Sequence, residues 1–249
     1  MDKFFIRFCL QRMEGLLDEN FPYECIMDTT AEEVSSFIHE CEKWQQKQAD
    51  NISSSIDLTA LYGRKVLFVG DSLTADRLGY RGIVTKAAQI DGYNAAISGA
   101  ISADMLRYLK DHIQAFNPDI ISVMIGTNDS LIIADEKNLV GKEEYGSNIE
   151  KIISVGKASG AQVIISTIPP IDEKRFNSPN KANNNLNIDA YCNIIREKAK
   201  NGAILNDFAE SAKDNSLEQI IENDGVHLTP YGQAFLAKCW LETVLGNIY

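Results

Sequence analysis

Two hydrophobic periodicities divide the chain. In residues 1 to about 62 the apolar side chains recur at helical spacing, with Phe5, Cys9 and Met13 on one face and Val34, Phe37, Ile38 and Cys41 on another. Thr30 and Glu33 stand in capping-box spacing just ahead of the second set, which predicts a helix start there. The polar stretch from Gln45 to Ser55 reads as a linker. The first 62 residues are therefore expected to form a helical extension, and 63–249 the main domain.

From Arg64 onward short apolar runs alternate with amphipathic segments. Val66 to Val69, Tyr93 to Ile97, Ile120 to Ile125, Val163 to Ser166 and Ala203 to Asn206 read as strands, of the length and apolar content that suit a parallel sheet covered on both faces. Ser102 to Phe116 puts Met105, Leu106, Leu109, Ile113 and Phe116 on one helical face and stops at Asn117-Pro118. Further helices are expected from about Glu143 to Ser159 and from about Asn187 to Lys200, closed by Gly160 and Gly202. A last one starts with Thr229 as cap and Pro230 in its first turn, carrying Phe235, Cys239, Trp240 and Val244 inward. Strands alternating with helices in this way imply a three-layer α/β/α sandwich with a flavodoxin-like, five-stranded parallel sheet.

Composition narrows the function. A chain of 249 residues with 45% hydrophobic content buries one sizeable core. A formal net charge of -11 with no basic cluster disfavours nucleic acid and anionic membrane surfaces. The 5 cysteines, Cys9, Cys25, Cys41, Cys192 and Cys239, are odd in number and widely spaced, so they predict reduced, mostly buried thiols. No stretch reaches the length of a membrane span. Arg7 and Arg12 interrupt the apolar start too early for a signal peptide, which points to the cytoplasm, although a trimmed leader leaves the same sequence.

Candidate chemistry sits where the predicted strands end. The run Lys65-Val66-Leu67-Phe68-Val69 stops on Gly70-Asp71-Ser72-Leu73, which lifts the Ser72 hydroxyl to a strand's carboxyl end. Serine-mediated ester cleavage also needs a base and a group that orients it. Of the 3 histidines, His39 and His112 fall inside predicted helices, leaving His227 in a loop as the base. Asp224, three residues upstream, is placed to fold its carboxylate back onto the imidazole.

Gly70-Asp71-Ser72-Leu73, Ile97-Ser98-Gly99-Ala100, Gly126-Thr127-Asn128-Asp129 and Asp224-Gly225-Val226-His227, in that order, resemble the motifs of the GDSL or SGNH hydrolase family of serine esterases. The resemblance covers about residues 65 to 246 and departs from many relatives at Ala96, where they have Gly. It implies the same roles for Ser72, Asp224 and His227. It also assigns an oxyanion hole to the backbone N–H of Gly99, the side-chain amide of Asn128 and the N–H of Ser72. Asp71 and Asp129 are expected to hold loops in place.

No metal-ligand spacing and no nucleotide-binding fingerprint occurs, so no cofactor or metal is expected. The absence of a G-x-S-x-G elbow sets aside the ordinary α/β-hydrolases. The rival from another class is a flavodoxin-like binding module with Asp71-Ser72-Leu73-Thr74 around a phosphate, which leaves Asp224 and His227 unexplained.

The segment Thr167 to Asn187 is expected to overhang the site, and its polar residues (Asp172, Glu173, Lys174, Arg175, Asn177, Asn180, Asn183, Asn184, Asn185) favour a hydrophilic alcohol such as a sugar. Leu131, Ile132 and Ile133 offer apolar surface for a short acyl group. The expected substrate is a small acyl ester, with carbohydrate deacetylation as one form. The alternatives are lysophospholipase or thioesterase action and acyl transfer by the same serine. The extension is expected to dock on its own domain, ahead of a dimer contact and of a lid over Ser72.

Overall fold

The computed structural model describes residues 7, 30–133, 136–177 and 182–247. Its centre is a five-stranded, wholly parallel sheet in the order β2-β1-β3-β4-β5. The strands are β1 (Lys65–Gly70), β2 (Asp91–Asn94), β3 (Ile120–Met124), β4 (Gln162–Ser166) and β5 (Ile204–Asn206). The order reverses at β1, which lies between β2 and β3, so the crevice outside its carboxyl end is the place where such sheets bind ligands.

Strand alternation builds two cores, one on each face. Leu67, Val69, Ile121, Val123, Val163 and Ile165 pack beneath α4 (Ser102–Phe116), α5 (Lys142–Ala158) and α7 (Asn185–Ala199). Their neighbours in sequence, Val66, Phe68, Ile120, Met124 and Ile164, face the opposite way. There they meet α3 (Tyr80–Ala87) and α10 (Pro230–Leu245). Trp240 of α10 is fully buried, and its indole N–H donates to Ser122 Oγ at 2.9 Å, which satisfies both polar groups inside an apolar layer.

α1 (Ala31–Ser53) begins at the expected capping box: Thr30 Oγ1 accepts from Glu33 N–H at 3.2 Å and Glu33 answers with 3.0 Å to Thr30 N–H. It packs on α3, and the extension therefore docks on its own domain. The stretch read as a linker is helical through Ser53. Gln45, Ala49 and Ile52 keep the helical period and are buried, while the intervening polar residues point outward. Gln45 spends its amide on Arg77 O at 2.7 Å. The helix expected around Phe5, Cys9 and Met13 lies outside the described residues, as do Cys9 and Cys25. Cys41, Cys192 and Cys239 are free thiols, the first two buried.

Two further readings change. β2 runs over Asp91–Asn94 instead of Tyr93 to Ile97, because Asn94 Oδ1 takes the Ala96 N–H at 3.1 Å and ends the regular ladder in an Asx turn. The apolar residues beyond it still bond to β1, Ala95 N–H to Phe68 O at 2.8 Å and Ile97 N–H to Gly70 O at 3.0 Å. α3 had no counterpart in the sequence reading, since Gly79 at its cap and Gly82 inside it look like a turn. Among the described residues, no helix is long and apolar enough to cross a membrane.

Ile52 belongs to the core beneath α3 and is 9% exposed. Ile52→Ala should cost about 2–3 kcal/mol. The melting temperature should then fall by roughly 5–10 °C with activity at 25 °C retained, and calorimetry of the two proteins checks it. An unchanged melting temperature would mean that α1 does not hold to α3.

Candidate active site

Ser72 opens α2 (Ser72–Ala75), one residue after β1 ends beyond Gly70, and is half-buried. Asp71 caps this short helix by accepting the Leu73 N–H at 3.0 Å. Ser72 Oγ lies 2.8 Å from His227 Nε2, and His227 Nδ1 lies 2.5 Å from Asp224 Oδ2. The structure thus joins Ser72, His227 and Asp224 in one hydrogen-bonded chain. Burial pushes the Asp224 carboxyl up, but the His227 hydrogen bond and charge and the Val226 and His227 N–H groups outweigh it and hold the group well below the usual carboxylate range. An ionised Asp224 only accepts, so Nδ1 carries the proton and Nε2 faces the Ser72 hydroxyl as an acceptor.

The loop that presents His227 is closed by its own backbone. Glu222 N–H donates to His227 O at 2.7 Å, and Thr229 caps α10 directly behind. Gly225 turns the chain at φ +81°, and a Cβ there would meet Phe176 N at 2.5 Å and Asp172 O at 2.8 Å. Only glycine fits both the conformation and the space. Phe176 belongs to α6 (Glu173–Phe176), a single helical turn. Arg175 in that turn reaches Glu222 O at 3.3 Å while Asp172 holds its Nε at 2.7 Å. The sequence assigned no part to Gly225, although the Asp-Gly pair was the available sign of a turn, and it placed Arg175 among residues facing a hydrophilic alcohol, whereas its guanidinium bonds to Asp172 and Glu222 O.

Gly99 and Asn128 follow β2 and β3, the two neighbours of β1. Gly99 is exposed at φ +78° in the turn closed by Ala100 N–H to Ile97 O at 3.0 Å. Asn128 Nδ2 donates to Ala100 O at 2.9 Å, which ties the two loops together and leaves the amide a second N–H. Asp129 is buried behind them. It takes the Ser102 N–H with both oxygens at 3.0 Å and the Ser102 hydroxyl at 2.5 Å, locking the β3 loop to the start of α4. Asp71 and Asp129 accordingly hold loops.

The polar segment after β4 behaves differently from its reading. Asn183 is 2% exposed and donates to Ser130 Oγ at 2.8 Å. Asn184 caps α7, and Asn185 bonds to Ile171 N and O at 2.9 Å each. Asn177 accepts from Asn183 N–H at 2.8 Å. Asn177, Asn184 and Asn185 serve the loop's own backbone and Asn183 ties it to the loop after β3, so these four side chains say nothing of a hydrophilic substrate. Asn180 lies outside the described residues. Of the three apolar candidates for an acyl surface, Leu131 packs on the core and Ile133 is 48% exposed. Among the described residues no three His, Cys, Asp or Glu side chains cluster in a way that could hold a metal ion.

Residues 68–235 match the model of the GDSL-like lipase/acylhydrolase family. The chain is similar to an arylesterase of Vibrio mimicus, 30% identical over 195 residues that cover 70% of this chain and 84% of the relative. It also resembles a multidomain esterase of Ruminococcus flavefaciens, 29% identical over 145 residues, 55% of this chain and 17% of that protein's length. Among solved structures, an acetylxylan esterase from Geobacillus stearothermophilus superposes with a TM-score of 0.60 at 23% identity, covering 75% of this chain and 96% of the other.

Burial pushes the Asp71 carboxyl from 3.8 up to about 7; its hydrogen bond from Leu73 opposes this and the nearby charge of Asp129 adds to it. A folded value above the unfolded one gives stability that is whole below 3.8 and is lost as pH rises through about 7. Melting temperature should therefore decline from pH 5 to pH 8, and Asp71→Asn should flatten part of that decline. Equal slopes in the two proteins would show that Asp71 ionises as freely folded as unfolded.

Proposed function

The chain belongs to the GDSL-like lipase/acylhydrolase family and is a carboxylic ester hydrolase, and from that premise we propose that it cleaves short-chain acyl esters, carbohydrate acetates among them, with Ser72, His227 and Asp224 as its catalytic triad. The observation that carries the reading is the 2.8 Å contact between Ser72 Oγ and His227 Nε2, side chains 155 positions apart in sequence. Residues 63–249 form the catalytic unit of this proposal and 1–62 its extension.

In the reaction Ser72 Oγ adds to the ester carbonyl as its proton passes to His227 Nε2, and Asp224 stabilises the imidazolium so formed. The carbonyl oxygen gains charge and is met by donors from three adjacent loops: the N–H of Ser72, the N–H of Gly99 and the second amide N–H of Asn128. The imidazolium then gives its proton to the departing alcohol, leaving an acyl-serine. Water, deprotonated by His227, cleaves that intermediate, releases the acid and restores Ser72.

A short acyl group is supported by the acetyl ester named for the Geobacillus stearothermophilus neighbour. Saccharide as the alcohol rests on the same neighbour, since Asn183 and Asn185 of the polar segment bond within the chain. Long-chain, thioester and acyl-transfer chemistry use the same serine and differ in the groups around it.

Hydrolysis of p-nitrophenyl esters from C2 to C16 should peak at C2–C4, and acetylated xylo-oligosaccharides should release acetate. Ser72→Ala should lose at least roughly 10⁴-fold in kcat with its melting temperature kept, and a fluorophosphonate should label the wild type alone. A maximum at C12–C16 would transfer the assignment to lysophospholipase chemistry, and labelling of Ser72→Ala at the wild-type rate would end it.

Asn128→Ala should lower kcat by roughly 10²-fold and leave KM nearly constant, because its free N–H strengthens only as the oxygen gains charge. A raised KM with constant kcat would instead make Asn128 a residue that binds ground-state substrate.

A further inference from the structure

Arg7 comes from the N-terminal extension, far in sequence from every catalytic candidate, yet it is 8% exposed. Its Nε and Nη2 donate to the two oxygens of Asp76 at 2.7 and 2.6 Å. Nη2 also donates to Leu228 O at 2.7 Å, and Nη1 to Glu222 Oε1 at 2.7 Å. These partners are not scattered. Asp76 ends the Ser72 helix, and its own N–H closes that helix onto Ser72 O at 3.0 Å. Leu228 follows His227, and Glu222 is the residue whose N–H holds His227 O at 2.7 Å. One guanidinium therefore spans from the turn that carries Ser72 to both ends of the loop that carries His227.

Asp76 itself is fully buried and is shared with Gln233 Nε2 of α10 at 2.9 Å and with Leu78 N–H at 2.9 Å. Burial lowers the affinity of Arg7 for its proton, but Asp76 and Glu222 more than restore it, so the cation stays charged at every working pH. The planar fork can serve a carboxylate with two parallel bonds while its remaining N–H groups reach elsewhere; an ammonium offers no such fixed geometry.

We propose that Arg7 is a positioning residue of this esterase, fixing the distance and direction between Ser72 Oγ and His227 Nε2 by clamping the Ser72 helix to the His227 loop. The role rests on the reading that those two groups act together. It touches no reacting atom. Its effect falls on the step in which the proton leaves Ser72, where an error near 1 Å costs on the order of 10²-fold.

The test compares Arg7→Ala, Arg7→Lys, Glu222→Gln and Ser72→Ala with the wild type, on p-nitrophenyl acetate and by the rate of fluorophosphonate labelling. Arg7→Ala should lose roughly 10²-fold in kcat and in labelling rate with KM within threefold, and Arg7→Lys roughly 10-fold. Millimolar guanidinium, far below denaturing concentrations, should return part of the lost kcat to Arg7→Ala and nothing to the wild type or to Ser72→Ala.

If Arg7→Ala does not fold, Glu222→Gln decides the matter, because it removes one arm of the clamp and leaves the buried Arg7–Asp76 pair intact. It should lower kcat several-fold with KM unchanged. Folded Arg7 variants, or Glu222→Gln in their place, with kcat and labelling within twofold of wild type would overturn the positioning role alone. Activity surviving in Ser72→Ala would overturn the esterase reading and this role with it.

Discussion

A hydroxyl and an imidazole 155 positions apart in sequence are held 2.8 Å from each other, and the hydrogen bonds of their two turns hold them there. Ser72 inherits its place from β1, which is bonded on both sides and covered on both faces. His227 has no strand beneath it. Its loop is fixed by Glu222 N–H on its own carbonyl, by Asp224 folding back on three bonds, by the close contact of Gly225 with α6, and by the Thr229 cap of α10. A loop so tied loses little further freedom when a substrate arrives, and that is the physical content of preorganisation.

Fixing loops in this way buries carboxyl groups. Asp71, Asp76 and Asp129 are each fully buried within a few residues of Ser72 or Asn128. Each takes a backbone N–H that has no strand or helix partner at its turn, Asp71 that of Leu73, Asp76 that of Leu78 and Asp129 that of Ser102. Each carboxylate holds a different turn: Asp71 the start of α2, Asp129 the start of α4, Asp76 the contact with Arg7 and Gln233. The raised affinity of Asp71 and Asp129 for protons measures what that burial costs.

What could be read from the sequence followed from the range of each interaction. Ser72 and the Asp224-His227 pair were legible because a strand end and a three-residue spacing are local, and α4, α5, α7 and α10 because their apolar period is unbroken over three turns or more. Period failed where polarity masked it: Gln45, Ala49 and Ile52 keep the inner face of α1, but among glutamines, lysine and asparagine they looked like a linker. β2 was misplaced because an edge strand tolerates Asp91 and Gly92, whereas the apolar residues after it are the ones beyond the Asx turn. Asn177, Asn183 and Asn185 were read as facing a substrate, since composition cannot tell a side chain that bonds within the fold from one that meets a ligand. Arg7 left no trace at all. An ion pair across 69 positions has no spacing to detect, and in sequence the residue was only an interruption of an apolar start.

The extension attaches by two means whose physics differ. α1 lies on α3 through small and apolar side chains, Ala49 and Ile52, whose burial is favourable and non-directional. Arg7 does the opposite: burying its charge gains little net stability, but its geometry admits one arrangement of Asp76, Glu222 and Leu228 O. The apolar contact keeps the extension on the domain, and the charged one registers it against the site. Ala49, Ile52, Leu58 and Leu61 of the extension belong to the core, and on the positioning role proposed for Arg7 the extension also bears on the alignment of Ser72 with the His227 loop, through Asp76.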